Sequence, residues 1–372
     1  MGAPTLGIIG AGQLAQMTFA PAVALGVNLQ ILAGNSRDSA AVFFPSTVGD
    51  YKNLDQLIDF ASKCDVITFE HELVPNGHIR RLEELGHTIR PSSSALLHAQ
   101  DKAHMRASFA SIGLPQPRWK VITSVSEIEA YPVILKAISG GYDGRGVRLS
   151  TNQVEAQEAL EKWGSALAEE LISFDRELSI MIARSPHDQV STWVVTETVQ
   201  RDGICTETIS PAPNLSDATA FSAQQIAMSI AQHVGLIGVM AVELFDVGGT
   251  LLINEIALRP HNSGHWTIEG STTSQFEQHI RAVLDLPLGS TSLTAPWAVM
   301  CNILGGENEK DDLFRPYLHL FARDPELKVH NYGKEVRPGR KVGHVTITGA
   351  KLEELRERVQ HAIDYISGVI SE

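Results

Sequence analysis

The stretch VELFDVGGTLLINEIALRPHNSGH, residues 242–265, joins two strand patterns through a glycine turn and ends in a run of polar side chains. Two apolar runs on either side of the turn 247–250 are typical of a β-hairpin. Glu243 and Glu255 lie equally far from Gly249 along the chain. A hairpin centred on Gly249 therefore places the two carboxylates opposite each other on one face of the sheet, with Cβ atoms about 5 Å apart.

Two carboxylates at this distance repel each other, and a divalent cation between Glu243 and Glu255 removes the repulsion. Oxygen-only ligands suit magnesium, which usually keeps water and nucleotide phosphates in its coordination shell. We therefore predict a magnesium site on the hairpin. In the alternative interpretation no metal binds, and one carboxyl has a raised pKa or both are exposed to solvent.

Acidic, basic, amide and hydroxyl side chains crowd into residues 254–265, directly after the second strand pattern. A hydrophobic core has little use for so many hydrogen-bonding groups, because each buried one needs a partner. His261 and His265 are four residues apart, but Pro260 and Gly264 argue against a zinc-binding helix. We predict anion binding in this loop, while a structural role is an equally good interpretation for either histidine alone.

The chain has 372 residues, of which 43% are hydrophobic and 20% charged, and a formal net charge of −13. This length and composition indicate a soluble globular protein of two or three domains. The negative charge argues against long-range attraction to nucleic acid or to an anionic membrane. No run of about 18 apolar residues and no signal peptide is recognisable. Three widely spaced cysteines fit a reducing cytosol, so we expect a cytoplasmic protein.

Strand and helix patterns alternate at the start of the chain. Short buried strand patterns at Leu6–Ile9, Leu29–Leu32 and Val66–Phe69 are separated or followed by helical patterns. This alternation predicts a parallel sheet with crossover helices.

Gly10, Gly12 and Ala15 form a Gly-x-Gly-x-x-Ala turn between the first strand pattern and a helix. Such a turn can bind a nicotinamide dinucleotide through the helix N-terminus. That use requires an acid after the second strand, where residues 33–35 read Ala-Gly-Asn. A substrate-phosphate site or a purely structural turn is therefore favoured.

Residues 136–147 read KAISGGYDGRGV and form a second glycine-rich loop, between two strand patterns. Its backbone N–H groups and the preceding Lys136 can close over a triphosphate. It is not a P-loop, because no Gly-Lys-Ser/Thr opens a helix. The alternative is a simple glycine hairpin. It is the poorer interpretation, because the segment combines four glycines with a lysine and an arginine.

Two further segments have the composition of binding sites. Residues 169–172 read Glu-Glu-Leu-Ile at the end of a strand pattern, and Glu177 follows. This pattern is typical of a segment whose backbone hydrogen-bonds to the edge of an adenine and is followed by a carboxylate that binds a ribose hydroxyl. A solvated acidic turn explains the pattern equally well. Residues 332–344 read YGKEVRPGRKVGH, a basic cluster that suits a phosphate monoester, with a solvated surface loop as the alternative.

Taken together, these motifs resemble those of the ATP-grasp superfamily and, within it, the carboxyaminoimidazole ribonucleotide synthetase family of purine biosynthesis. The resemblance covers nearly the whole chain. The glycine-rich loop and the acidic hairpin are typical of the superfamily. The pair at residues 142–143, the loop 259–265 and the segment 332–344 are specific for the family.

The resemblance implies a mixed α/β and α+β fold of three domains. An open, Rossmann-like N-terminal domain with a parallel sheet covers residues 1–100. An ATP-grasp domain covers residues 101–290 and includes a mobile lid around 115–185. A small α+β C-terminal domain covers residues 291–372.

The resemblance also implies the reaction, an ATP-dependent carbon–nitrogen ligation. ATP phosphorylates bicarbonate to carboxyphosphate, and the amine of 5-aminoimidazole ribonucleotide attacks this anhydride or the carbon dioxide released from it. The products are N5-carboxyaminoimidazole ribonucleotide, ADP and phosphate, and closure of the glycine loop excludes water. ATP and Mg²⁺ are the implied cofactors. The implied partners are the small-molecule substrates and a second copy in a homodimer, without nucleic acid or membrane.

Carried over residue by residue, the resemblance assigns the site residues to four sets. The ATP contacts are Lys102, Lys136, Gly141, Tyr142, Asp143, Gly144, Arg145, Gly146, Val147, Glu169, Glu170, Leu171, Ile172, Glu177, Gln200, Asn254 and Glu255. The contacts of the imidazole nucleotide are Gln13, Glu70, Tyr142, Arg145, Lys334, Arg340 and Lys341. The magnesium ligands are Glu243 and Glu255. The catalytic residues are Asp143, Arg259, His261 and Asn262.

The chain departs from the family pattern at two positions. Gln200 stands where the family often has a histidine near the nucleotide, and glutamine can donate and accept a hydrogen bond but carries no charge. The common family motif Ala-Pro-Arg-Pro reads Ala-Leu-Arg-Pro in this chain, with Leu258 in place of the first proline. We expect this exchange to affect only the local backbone. There are three rival interpretations. The first is another ATP-grasp ligase, such as a formate-using ribonucleotide transformylase or biotin carboxylase. The second is a nicotinamide-binding oxidoreductase, and the third is a catalytically silent nucleotide sensor.

Overall fold

The computed structural model describes residues 2–141, 146–306 and 314–371. Over these ranges the chain forms one parallel and two antiparallel sheets with helices packed against them. This architecture confirms the predicted mixed α/β and α+β class. In the same ranges, no helix is both long and apolar enough to cross a membrane.

The chain begins with a parallel four-stranded sheet and its helices. The elements are β1 (Thr5–Ile9), α1 (Gln13–Met17), α2 (Phe19–Leu25), β2 (Asn28–Ala33), β3 (Ser46–Val48), α3 (Leu54–Ala61), β4 (Val66–Phe69), α4 (Asn76–Glu84) and α5 (Ser93–Gln100). The strand order is β3-β2-β1-β4, so the chain leaves β1 on one side and returns on the other. A ligand crevice forms at such a reversal, outside the carboxyl ends of the strands.

A small antiparallel sheet follows, with the order β5-β8-β6-β7. Its elements are α6 (Lys102–Ser111), β5 (Trp119–Ile122), β6 (Val133–Ala137), β7 (Val147–Ser150), α7 (Gln153–Trp163) and β8 (Ala166–Glu170), with a 3-10 turn at Val125–Glu127. Asn152 caps α7 by accepting hydrogen bonds from the backbone N–H groups of Val154 and Glu155. The glycine-rich loop connects β6 to β7, so Lys136 stands at the end of a buried strand.

A nine-stranded antiparallel sheet holds the rest of the chain together. Its strands and helices are β9 (Arg176–Arg184), β10 (Val190–Thr192), β11 (Thr196–Arg201), β12 (Ile204–Ser210), α8 (Asp217–His233), β13 (Gly238–Val247), β14 (Thr250–Ala257), α9 (Thr267–Gly270), α10 (Gln275–Val283), β15 (Trp297–Leu304), α11 (Tyr317–Arg323), β16 (Lys328–Asn331), β17 (Lys341–Gly349) and α12 (Leu352–Ser367). A 3-10 turn at Asn262–Gly264 precedes α9.

The large sheet continues from the acidic hairpin into the C-terminal unit. Its order is β14-β13-β9-β11-β12-β15-β17-β16, with β10 paired to β9. β12 pairs with β15 over four residues, from Glu207 with Cys301 to Ser210 with Ala298. Residues 286–296, which precede β15, therefore connect two units that share one sheet.

α10 joins the N-terminal sheet to the large sheet. Its Ile280 and Val283 pack into the apolar core that contains β1 and β2. The fully buried His279 accepts a hydrogen bond at Nδ1 from the Val239 N–H (3.1 Å), and its Nε2 lies 2.8 Å from Thr68 Oγ1. Because Nδ1 accepts, the ring is neutral and carries its hydrogen on Nε2. Burial lowers the pKa of His279 to about 4.

The low pKa of His279 predicts acid sensitivity of the fold. The pKa of His279 in the folded state lies below its unfolded-state value of 6.5. The contribution of the neutral ring to the free energy of unfolding is therefore fully present above pH 6.5 and is lost as the pH falls toward 4. In His279→Asn, whose amide oxygen can still accept from Val239, we expect the loss in free energy of unfolding between pH 7 and pH 5 to be smaller by about 2 kcal/mol. Urea denaturation at both pH values measures it, and equal losses in both proteins would contradict this role.

Candidate active site

A cleft of roughly 1900 Å³ opens where the three sheets meet. Most predicted site residues line it, namely Gln13, Glu70, Lys102, Lys136, Gly141, Val147, Glu169, Glu170, Leu171, Ile172, Glu177, Gln200, Glu243, Asn254, Glu255, Arg259, His261, Asn262, Lys334, Arg340 and Lys341. Gly146 is described but does not line the cleft. Tyr142, Asp143, Gly144 and Arg145 lie outside the described residues.

Glu243 and Glu255 are paired across the hairpin of β13 and β14, as predicted. The turn itself is centred between Gly248 and Gly249, whose φ angles of 60° and 87° are both left-handed. Such a two-residue glycine turn matches the twist of the strands. The prediction was therefore right about the pair and wrong about a turn centred on Gly249.

A β-bulge in β14 corrects the register. Leu244 pairs with Ile253 beyond the turn, but the next pair is Glu243 with Glu255, so that Asn254 is an extra residue. Without the bulge, Glu243 would face Asn254 and the second carboxylate would lie one residue further along. A bulge re-aims side chains in this way, and the extra residue here also contributes its own amide to the cleft.

Arg106, on α6, is fully buried and holds the bulge in place. Its guanidinium donates to the carbonyl oxygens of Ile253 and Asn254, each at 2.7 Å, and to a carboxylate oxygen of Glu169 at 2.7 Å. The other oxygen of Glu169 pairs with Lys136 Nζ at 2.8 Å, and Lys136 donates to Asn254 Oδ1 at 2.9 Å. This closed network connects α6, β6 and β8 to the bulged strand.

The two paired acids have opposite pKa shifts. Burial raises the pKa of Glu243, and the negative charge of Glu255 raises it further. Burial also opposes ionisation of Glu255, but its 2.8 Å ion pair with Lys102 and the charge of Lys136 outweigh burial and lower its pKa. At neutral pH these shifts favour an ionised Glu255 beside a protonated Glu243.

This pair suits a divalent cation, because a cation in place of the proton would relieve the repulsion and accept oxygen ligands from both acids. In the part of the chain that the structure describes, no group of three or more His, Cys, Asp or Glu residues could hold a metal ion. A cation on Glu243 and Glu255 would therefore take its remaining ligands from water and from a bound anion.

The loop 259–265 carries basic groups into the cleft beside the acid pair. Arg259 Nε donates to a carboxylate oxygen of Glu72 at 2.8 Å, which ties the loop to the N-terminal sheet. His261 Nε2 lies 3.6 Å from Glu243 Oε1. The loop can therefore present positive charge to a small anion bound at the acid pair.

The other side of the loop is bound to the large sheet. Asn262 and Asn302, on β15, exchange two amide hydrogen bonds of 2.8 Å each. Ser263 Oγ lies 2.9 Å from His261 Nδ1 and 2.7 Å from the hydroxyl of Ser179, on β9. These hydrogen bonds hold the ring of His261 in one orientation.

His265 lies in the core. Its ring is fully buried, and its Nδ1 lies 3.0 Å from Gln275 Nε2. Burial lowers the pKa of His265 well below its ordinary value, so the ring is neutral. The structural interpretation is correct for His265, and the anion-binding interpretation remains for His261 only.

Glu70, which follows β4, occupies the glycine turn after β1. Its carboxylate accepts hydrogen bonds from the backbone N–H groups of Gly12 and, at 3.2 Å, of Leu14. A Cβ atom on Gly10 would lie only 2.9 Å from this carboxylate. A dinucleotide pyrophosphate would need the N–H groups that Glu70 occupies. The glycines instead allow Glu70 to approach, so this contact argues against a dinucleotide site at the turn.

The basic segment 332–344 meets the N-terminal unit in the cleft. Lys334 Nζ donates to Gln13 Oε1, and Arg340 donates to the carbonyl oxygen of Glu335 at 3.2 Å. Lys341 begins β17 and lowers the pKa of Glu243 through its charge, against the larger effect of burial. Because several cations converge here, this part of the cleft suits a phosphate.

A mainly apolar wall lies next to the end of β8. Leu171 and Ile172 line the cleft together with Phe174, whose ring stacks on Phe245 with 4.8 Å between centroids. Burial, followed by the charge of the nearby Glu255, raises the pKa of Glu177 to about 7. Apolar walls with a few polar groups are typical of sites for flat heterocycles. Gln200 also lines the cleft, at a bulge in β11.

Five residues that shape the site were not predicted from the sequence, namely Glu72, Arg106, Phe174, Phe245 and Asn302. Glu72 could have been found, because it follows Glu70 by two residues directly after a strand pattern. Arg106, Phe174 and Asn302 belong to no recognisable motif, and nothing in the hairpin pattern marks Phe245 as a cleft residue, so only the spatial contacts of these four residues reveal them.

The buried network around Glu169 predicts a large effect on stability. Burial alone would raise the pKa of Glu169, but the charges of Lys136 and Arg106 outweigh it and lower the pKa, so the carboxylate is ionised. Glu169→Gln leaves two buried cations beside a neutral amide. We expect this variant to lose about 3–5 kcal/mol of the free energy of unfolding, as measured by urea denaturation.

Glu170→Gln is the matched control, because Glu170 is the next residue on the same strand. Its ion pair is with Arg118, whose side chain is 89% exposed. Solvent screens such a pair, so we expect a far smaller loss of stability. Losses of equal size in the two variants would contradict the role of the buried network.

Three family models match the chain in succession. The ribonucleotide synthetase preATP-grasp domain matches residues 3–100, the ATP-grasp domain 107–276, and the phosphoribosylaminoimidazole carboxylase C-terminal domain 298–358. The fold and these matches confirm the predicted ATP-grasp architecture.

Two curated relatives that match nearly the full length of the chain share one name. N5-carboxyaminoimidazole ribonucleotide synthase of Mycobacterium bovis is 46% identical, over 98% of this chain and 88% of the relative. The enzyme of that name from Corynebacterium ammoniagenes is 42% identical, over 98% and 92%. A crystal structure of carboxyaminoimidazole ribonucleotide synthase from Aspergillus clavatus complexed with ATP has a TM-score of 0.91 at 30% identity, covering 99% of both chains. The chain belongs to the N5-carboxyaminoimidazole ribonucleotide synthase family.

Proposed function

We propose that this protein is the ATP-dependent ligase that joins bicarbonate to the amine of 5-aminoimidazole ribonucleotide in purine biosynthesis. The products are N5-carboxyaminoimidazole ribonucleotide, ADP and phosphate. Membership of the family supports this activity. The observation that carries the proposal is the pairing of Glu243 with Glu255 beside two lysines and the basic loop 259–265, all in one cleft.

ATP is proposed to bind between the small sheet and the hairpin. Its phosphates would contact Lys102, Lys136, Asn254 and the glycine loop 141–147, which includes Tyr142, Asp143, Gly144 and Arg145. Its adenine would hydrogen-bond to the backbone of residues 169–172 and pack against the ring of Phe174. Glu177 would accept a hydrogen bond from the ribose. A related crystal structure complexed with ATP supports the cofactor. Gln200 would donate a hydrogen bond near the nucleotide, where the family often has histidine.

Glu243 and Glu255 are the proposed ligands of magnesium. Their fit to the ion rests on the pairing of the two residues across the hairpin, which brings two oxygen-donor side chains together in the cleft. When bound, magnesium would supply positive charge to the phosphates of ATP as the terminal phosphoryl group is transferred.

Bicarbonate is proposed to bind at the loop 259–265. Arg259 and His261 would attract the anion, and Asn262 would donate a hydrogen bond to it. A bicarbonate oxygen attacks the terminal phosphorus of ATP, the bond to ADP breaks, and carboxyphosphate forms. Lys136 and Arg259 would stabilise the charge on the transferred group.

The imidazole nucleotide is proposed to bind between Gln13, Glu70 and the basic segment. Its phosphate would contact Lys334, Arg340 and Lys341, and its ring Tyr142 and Arg145. Its amine attacks the carboxyl carbon of carboxyphosphate and displaces phosphate, or attacks the carbon dioxide that forms when carboxyphosphate releases phosphate, and the amine loses a proton in either case. Asp143 would accept a hydrogen bond from this amine. A structure of the Aspergillus clavatus enzyme in complex with ADP and 5-aminoimidazole ribonucleotide, with a TM-score of 0.86, supports this substrate.

We further propose a cytoplasmic homodimer. The family resemblance supports the dimer, and light scattering on the purified protein tests it. Among the described residues, Cys64, Cys205 and Cys301 are not joined by disulfide bonds, which suits a reducing compartment.

The direct test measures release of phosphate from ATP with each substrate added separately. We expect rapid release only when ATP, magnesium, bicarbonate and the imidazole nucleotide are all present, with labelled bicarbonate entering an acid-labile product. Glu255→Gln should reduce this rate by more than about 100-fold, because the charge at the transferred group is no longer balanced. Release that ignores the imidazole nucleotide, or that formate supports in place of bicarbonate, would sink the assignment.

The raised pKa of Glu243 predicts how magnesium binding depends on pH. Below this pKa the carboxyl holds a proton that the metal must displace, whereas Glu255 is already ionised. We therefore expect the affinity for Mg·ADP to increase as the pH rises from 6 to 8.5, with release of a proton on binding. Isothermal titration calorimetry in buffers of different ionisation enthalpy measures both quantities.

Glu243→Gln separates this effect from the titration of the nucleotide itself. The variant has no proton to release at this position, so its affinity should be lower and should change with pH only as the nucleotide does. The same pH dependence and proton release in both proteins would show that Glu243 is not the titrating ligand.

A further inference from the structure

Gln275, the first residue of α10, lies beneath the loop 259–265 and is fully buried. Its side-chain amide binds both backbone groups of His261. Oε1 accepts a hydrogen bond from the His261 N–H at 2.8 Å, and Nε2 donates to the His261 carbonyl oxygen at 2.8 Å. This pair of bonds fixes the plane and the position of the backbone at the histidine that faces the cleft.

The same side chain also holds the end of the loop. Its second amide hydrogen points to His265 Nδ1 at 3.0 Å. Gly264 packs so closely that a Cβ atom there would lie 2.7 Å from Gln275 Oε1. The backbone N–H of Gln275 donates to Thr267 Oγ1 (2.9 Å), which donates to the Gly264 carbonyl oxygen (2.6 Å).

The loop needs such a support because no strand ladder orients the backbone of His261. β14 ends at Ala257, and the 3-10 turn begins at Asn262. α10, by contrast, is anchored in the core that contains β1 and β2, through Ile280 and Val283. Gln275 therefore transmits the rigidity of a packed helix to an irregular segment.

We propose that Gln275 is a positioning residue for the carboxylation reaction, acting through the backbone of His261. This inference rests on the proposed function, in which Arg259, His261 and Asn262 bind bicarbonate. Gln275 does not line the cleft, so it acts on the reaction only through the loop. A shift of the loop by about 1 Å would reduce the rate on the order of 100-fold, because the reacting groups no longer align.

The chain offers a matched control on the same helix. Gln278 is also fully buried, and its amide exchanges the same two hydrogen bonds with one backbone unit, at Gly289 (2.7 and 2.8 Å). That unit lies on the connection to β15, away from the residues that line the cleft. Gln275→Met and Gln278→Met therefore remove chemically identical supports from two different loops.

The test compares both variants with the wild-type protein, with concentrations of folded sites set by Mg·ADP titration. We expect Gln275→Met to lower kcat/KM for bicarbonate by about 10- to 100-fold. The affinity for Mg·ADP should be unchanged, and ATP should be hydrolysed with less product formed per phosphate. Gln278→Met should lower the melting temperature comparably and leave kcat/KM for bicarbonate at the wild-type value.

Gln275→Glu is the second variant, for the case that Gln275→Met does not fold. Its carboxylate can still accept from the His261 N–H but cannot donate to the His261 carbonyl oxygen. We expect the same selective loss with bicarbonate. Wild-type kcat/KM in a folded Gln275 variant, or equal losses at Gln275 and Gln278, would overturn the proposal. A wild-type protein without bicarbonate-dependent turnover would overturn the proposed function as well.

Discussion

The buried guanidinium of Arg106 is the constraint on which the site depends. It donates to the two carbonyl oxygens at the bulge in β14, and its third bond goes to Glu169. A bulge leaves backbone groups out of the ladder, and buried groups of this kind need other partners. Arg106 supplies them, so the hairpin can carry its extra residue. The pairing of Glu243 with Glu255, and with it the cation site, follows from that extra residue.

The sequence predicted the parallel N-terminal sheet, the acid pair and a set of site residues of which most line the cleft. These predictions succeeded because hydrophobic periodicity, glycine turns and local motifs are written within short stretches of chain. The predicted centre of the turn at Gly249 was wrong, yet the predicted pair was right, because the one-residue bulge compensates for the error. The bulge depends on the residues that pack around it, and no local sequence pattern in β14 predicts its position.

The supports of the site could not be predicted for the same reason. Arg106 acts on β14 and Gln275 on His261, but nothing near either residue in the sequence marks its partner. Arginine and glutamine side chains on helices are ordinarily solvated, so the burial of Arg106 and Gln275 only becomes apparent in the folded chain. Glu70 illustrates the converse. Its glycine turn has the local form of a dinucleotide site, and a distant carboxylate decides otherwise.

The charges of the cleft are largely balanced before any substrate arrives. Lys102 pairs with Glu255, Arg259 with Glu72, and Lys136 with Glu169. Phosphates that enter alone would compete with Glu255 for Lys102 and leave that acid unpaired beside their own negative charge. A nucleotide that enters with magnesium avoids this cost, because the cation takes over the acid as the lysine turns to the phosphates. The arrangement of ion pairs therefore favours the metal–nucleotide complex over free nucleotide, and the fully buried pair of Lys136 with Glu169 keeps one cation in place throughout.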